Sequence, residues 1–145
     1  KGFTLIELLV VIGILAVLLS VTLIAINPAR QFSQANNTKR RSDVNSILNA
    51  VNQYMADNKG AVPAGVTTSV QTIANTGANI CAVLVPQYIA ALPRDPLTAN
   101  GVAVTDCAAV GGYTTNYTIV QSATNNRITV NAPAVEIGES ISVTR

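Results

Sequence analysis

One acid stands in surroundings that should repel it. Glu7 lies within residues 3–26, where 17 of the 24 side chains are Phe, Leu, Ile or Val. A lone carboxylate in such a stretch is costly unless it has a partner or a task. Two other groups could do chemistry. Lys39, Arg40 and Arg41 form a short basic run that could meet DNA phosphates or acidic lipid. Cys81 and Cys107 could close a loop over residues 81–107, or remain two buried thiols. The chain offers no dense acidic run or glycine-turn loop, so no metal or cofactor is assigned.

Conventional catalysis finds no footing. The chain has no His, which removes the commonest general base and metal ligand. It also lacks a Gly-x-Ser-x-Gly elbow and a phosphate loop. The formal charge of +2 is too small to argue for nucleic acid. The basic run has no second cluster and no aromatic platform beside it. It therefore reads as a solvated helix face, or as a lateral match for a neighbour's acids, with DNA a weakly supported partner. The chain reads as a structural protein, not an enzyme.

The element that must position Glu7 is a long helix. Residues 3–26 would span roughly 36 Å as an α-helix, enough to cross a bilayer core of ~30 Å. The apolar gain outweighs one acid near the end of the run, so the segment is expected to insert into a membrane. Beyond it, Phe32, Ala35, Val44, Ile47, Leu48, Val51 and Met55 fall on an apolar stripe at helical spacing. Asn58-Lys59-Gly60 supplies a stop. One helix over about residues 4–58 is thus expected, interrupted at Pro28, which lacks the N–H that would bond the carbonyl of Ile24. Gly13, Ser20, Thr22 and Asn27 weaken helicity further.

The residues 2–11, GFTLIELLVV, resemble the processing signature of type IV pilins and of the pseudopilins of type II secretion. The likeness is close over ten residues, and the long helix behind them extends it. The resemblance implies that a prepilin peptidase cuts after Gly2 and that the new Phe3 amine is methylated. It implies that Glu7 guides assembly, its carboxylate pairing with the Phe3 amine of a neighbour. It implies too that the helix between Gly13 and Pro28 can melt and extend in an assembled filament. Lys1 and Gly2 are expected to end a longer leader. Four cations follow the apolar run (Arg30, Lys39, Arg40 and Arg41), which by the positive-inside rule would put the remainder in the cytoplasm. An unseen leader and the resemblance override that cue and imply an external head. A disulfide between Cys81 and Cys107 is then expected, since that compartment is oxidising.

The remaining residues suit a small head. Residues 69–75 and 81–91 could each hold a short helix, with Pro86 starting a turn. Residues 92–96, LPRDP, must run extended or turned and resemble a segment of major pseudopilins, in which nearby loop oxygens can bind calcium; the resemblance implies Asp95, Asn100 and Asp106 as candidate ligands, and a plain turn is the expectation. From Tyr113 the period changes to two: residues 113–120 and 127–131 read as strands joined at Asn125-Asn126. Residues 135–137 and 140–143 could add further short strands. The expected fold is α+β, a long N-terminal helix packed on a small antiparallel sheet, type IV pilin-like. Its parts are an apolar half-helix (1–28), an amphipathic half-helix (29–59) and a globular head (60–145).

The function expected is that of a major pilin. Identical subunits would polymerise through their apolar helices into a surface pilus, after waiting in the cytoplasmic membrane for the assembly machinery. Adhesion, twitching motility or DNA uptake are uses of such a filament. The alternatives are a major pseudopilin, favoured by residues 92–96, and a singly anchored surface-binding protein that never polymerises.

Overall fold

The computed structural model describes residues 2–145; Lys1, which precedes the expected cut, lies outside them. Two helices form the stem. α1 covers Leu5–Ile26 and α2 covers Pro28–Asp57. Between them Asn27 adopts a left-handed conformation (φ 45°) and closes one helix while opening the next. Its side-chain Oδ1 accepts the Arg30 N–H at 3.3 Å, and Pro28 takes the first helical position, where a missing N–H costs nothing. Asn tolerates this backbone better than most residues with a Cβ.

The expected single helix is therefore two, parted at Asn27–Pro28, where the interruption was expected. α1 runs unbroken through Gly13. The Ser20 hydroxyl donates to the carbonyls of Ala16 and Val17, and the Thr22 hydroxyl to that of Leu19. Each polar side chain thus finds its partner within the helix, which is what an apolar medium demands. α2 ends where Asn58 donates its backbone N–H to Tyr54 and Gly60 donates to Met55. Lys59 (φ 56°) lies just past the helix, not in its last turn.

The head is a four-stranded antiparallel meander in the order β1 (Gln71–Ala74), β2 (Thr114–Gln121), β3 (Ile128–Ala132) and β4 (Ile141–Thr144). Residues 69–75, expected as helix, instead supply the edge strand β1. Four residues of Gln-Thr-Ile-Ala have no helical period to enforce, and pairing with β2 satisfies their backbone. Residues 135–137 form no strand and lie in a turn-rich loop against α2. One short helix, α3 (Cys81–Leu84), occupies part of 81–91. Alternation along the strands sends Thr115, Tyr117 and Ile119 inward from β2 and Ile128, Val130 and Ala132 from β3.

Against that face pack Val44, Ile47, Leu48 and Val51 of α2, all fully buried. The lower part of the expected stripe does not follow. Phe32 is 71% exposed and Ala35 is also exposed, because the face that α2 turns to the head there is polar. The segment between β1 and β2 crosses beside the core. Leu92 and Val104 exchange both backbone hydrogen bonds, and a disulfide joins Cys81 to Cys107 with Cα atoms 5.5 Å apart.

Cutting that disulfide should free a long loop in the unfolded chain and lower head stability by ~3–4 kcal/mol. Denaturant unfolding of the full-length chain in detergent, with and without reductant, measures it. Equal midpoints would refute the expectation, and membrane insertion of α1 should be unaffected.

Candidate functional site at the N-terminal segment

Phe3, Thr4 and Glu7 form one local unit at the start of α1. Thr4 is the N-cap, and its Oγ1 accepts the Glu7 backbone N–H at 3.3 Å. In return Glu7 Oε2 accepts from the Thr4 backbone N–H at 2.8 Å and from the Thr4 hydroxyl at 2.7 Å. Two helix-end donors are satisfied reciprocally, and the negative carboxylate sits at the positive end of the helix dipole. Both hydrogen bonds use the same oxygen. Among the described residues Glu7 Oε1 has no hydrogen-bond partner.

Phe3 precedes the cap and is 88% exposed. It is thus not on the helix face four residues ahead of Glu7, as helical numbering suggests, but in the extended entry to the helix. Phe3 and Leu8 border the same apolar cleft with Glu7 and Val11. A residue before the cap beside one in the second turn is the arrangement of a hydrophobic staple, which fixes the chain's entry angle. Gly2 is exposed, and a Cβ placed on it would meet nothing within 4 Å.

The rest of α1 is apolar on every side and unpartnered. No residue of Leu5–Ile26 is buried, and large side chains such as Leu5, Ile24 and Val17 are more than half exposed. Its length and composition suit a membrane span. A helix hydrophobic all round belongs in lipid or in the core of an assembly.

The structure does not gather the other candidates here. Cys81 and Cys107 lie in the head, as their disulfide. Asp95 is not a free metal ligand: it is fully buried and paired with Arg40, while Oδ1 of Asp106 accepts the Ala108 N–H in a turn. Among the described residues no group of three or more acidic, His or Cys side chains is placed to hold a metal.

The basic run is the largest departure. Lys39 pairs with Asp43 at 2.9 Å, and Arg41 with Glu139 at 2.5 Å. Arg40 is not on a solvated face; it is wholly buried. Its Nε donates to Asp95 Oδ2 at 2.7 Å, and its Nη1 donates to Glu136 Oε2 at 2.7 Å and Asn37 Oδ1 at 2.9 Å. Burial disfavours the Arg40 charge, but hydrogen bonds and attraction from Asp95 and Glu136 outweigh it and hold the guanidinium pKa above its ordinary value. Around this centre Glu136 also accepts from Asn36 and Ser33, and Asn37 bridges the Glu136 backbone at both its N–H and its carbonyl. The Tyr117 hydroxyl donates to Asp43 at 2.8 Å, and burial beside that carboxylate raises its pKa. The sequence signal for this clasp was slight: three cations on a helix beside an apolar stripe, with Asp95 and Glu136 distant in the chain.

Replacing Arg40 with Met strands the buried Asp95 carboxylate, and we expect a loss of about 3–5 kcal/mol in head stability. Chemical denaturation of the full chain reads this directly, and adding Asp95→Leu should recover part of the loss. A single variant as stable as the parent would refute the clasp. Acid should act at Glu136. Its hydrogen bond from Arg40, chiefly, holds its carboxyl below the ordinary value. A depressed folded pKa stabilises above the unfolded value of ~4.3 and ceases to as pH falls through the folded value. The unfolding midpoint should therefore drop on acidification below about pH 4.3, and Glu136→Gln should flatten that part of the profile.

Comparison with known proteins gives one match. Residues 1–23 match the family model of the prokaryotic N-terminal methylation motif. No curated protein and no solved structure matches the chain. The matched stretch holds Gly2, Phe3, Thr4 and Glu7, and the architecture behind it is a long apolar helix, a second helix and a four-stranded sheet. The chain thus carries the N-terminal methylation signal of type IV pilins and pseudopilins on a pilin-like α+β fold.

Proposed function

We propose that the protein is the major structural subunit of a type IV pilus. The observation that carries this reading is α1: 22 residues of unpartnered apolar helix headed by a single capped acid, inside a matched methylation motif. The peptidase cuts between Gly2 and Phe3, and methylation marks the new amine. Until assembly α1 rests in the membrane. Once extracted, its apolar surface cannot remain in water, and packing beside the stems of other subunits removes it. Staggered, head-to-tail contacts of this kind do not close on themselves, so the product is an open-ended filament.

Glu7 sets the register. Among packed apolar stems an unpaired carboxylate is costly, and a cationic amine on a neighbour's Phe3 offsets that cost at one axial position. The unengaged Oε1 is the atom that would accept it. Heads then form the outer surface. Energy for extraction must come from separate machinery.

The test is Glu7→Leu, expressed alongside the parent. Membrane insertion should persist, while filaments sheared from cells should fall by more than about tenfold, the equivalent of ~1.4 kcal/mol per subunit added. Undiminished filaments would sink the role of Glu7. Mass spectrometry of sheared material should find chains starting at N-methylated Phe3. Short filaments confined to the periplasm would replace the pilus with a secretion pseudopilus.

A further inference from the structure

In the head lies a cleft of 620 Å³, lined by polar and apolar surface alike, a size suited to a small ligand. It sits at the end of the β1–β2 pair, where the register shifts between Thr72 and Ala74. Arg94 lines it. Asp95 turns into the head to meet Arg40, and Arg94 goes to the cleft.

Arg94 has not found a partner there. Its Nε is buried without a hydrogen bond, and among the described residues no carboxylate lies within 4 Å of the guanidinium. A buried donor left unmade is costly, and in this Arg94 differs from Arg40, whose guanidinium is engaged by Asp95, Glu136 and Asn37. The rest of the lining is neutral and rich in hydroxyls, with Thr76, Thr98 and Thr114 among it. Asn75 adds an amide. Its Oδ1 accepts the Tyr113 N–H at 3.2 Å, which leaves the Nδ2 group as a donor. Gly112 (φ 76°) makes room for that amide, since a Cβ in its place would strike the Asn75 side chain.

We propose that this cleft binds an acidic sugar, with Arg94 holding the carboxylate and the threonine hydroxyls and Asn75 amide holding ring hydroxyls. A guanidinium fork matches a carboxylate in two parallel hydrogen bonds. A phosphate, with close to two charges, would call for a second cation or a helix N-terminus, and neither lines the cleft. One cation among neutral donors and acceptors fits one negative charge on a hydroxyl-rich body.

The experiment is ligand-detected NMR titration of the full-length chain in detergent with galacturonate, galactose and inorganic phosphate. Galacturonate should bind at least about tenfold tighter than either of the others. Arg94→Gln should reduce galacturonate affinity to that of galactose. Thr76→Glu, which places a carboxylate in the cleft at an exposed position, should do the same without lowering the unfolding midpoint. Arg127→Gln, a charge change outside the cleft, should leave binding unchanged. Equal affinity for galactose and galacturonate, or no binding by the parent chain, overturns the proposal. So does phosphate binding as tight as galacturonate, or a Thr76→Glu chain that keeps its affinity.

Discussion

Arg40 is a full charge with none of its surface in water, and the arrangement of the head follows from that. An ion so placed needs matching charge and hydrogen bonds on every side. Asp95 comes from the segment that crosses between β1 and β2, Glu136 from the loop between β3 and β4, and Asn37 from the same helix one turn away. One guanidinium thus ties three parts of the chain that are distant in sequence. An apolar contact could bury as much area, but it would tolerate rotation of α2 about its axis. The planar fork does not, because its donors must meet acceptors in fixed directions. Setting the azimuth and height of α2 against the sheet is the specific contribution of this cluster.

The division along α2 has the same origin. Its later half meets the sheet through Val44, Ile47, Leu48 and Val51, and its earlier half meets the loop at 133–139 through Ser33, Asn36, Asn37 and Arg40. The first contact is strong and nondirectional; the second is directional and sensitive to acid. Between the polar half and the apolar α1 stands Asn27, held left-handed by its own cap to Arg30. Beyond that residue α1 touches nothing in the head that buries any of it. Orientation is therefore settled within the head, and α1 is free to take its surroundings from lipid or from other stems.

Legibility of the sequence tracked the kind of force involved. The apolar character of 3–26, the stripe from Val44 to Val51 and the alternation in β2 and β3 were plain because hydrophobic burial leaves a period in the chain. The capping of Thr4 by Glu7 was hidden within a motif read for its processing and assembly, although a Thr followed three residues later by Glu is a local helix-start signal. Long-range polar pairing leaves no period. Nothing near Lys39, Arg40 and Arg41 says that the middle cation is interior and its neighbours are not, since the choice depends on acids that arrive from residues 95 and 136. Edge strand β1 was missed for a related reason: four residues acquire their structure from the partner strand, not from local preference. In the single subunit α1 is continuous through Gly13, because one glycine in a long apolar helix costs only ~1 kcal/mol and its neighbours carry the helix past it.

In the filament proposed above, these forces have to act in different media. While α1 lies in lipid, hydrophobic burial contributes little to stem–stem association, since the acyl chains are as apolar as Leu. The clasp and the disulfide, both outside the bilayer, must hold the head in its final form before assembly begins. On extraction the balance reverses, and the stem surface becomes the largest unfavourable exposure in the molecule. A head that reshaped at that step would add an ordering cost to every subunit joined. Arg40, fixed by partners within its own chain, removes that cost in advance. Glu7 is left as the opposite case, a charge satisfied at one oxygen only. Interior pairing completes the subunit, and the incomplete pairing at its N-terminus is what a second subunit can complete.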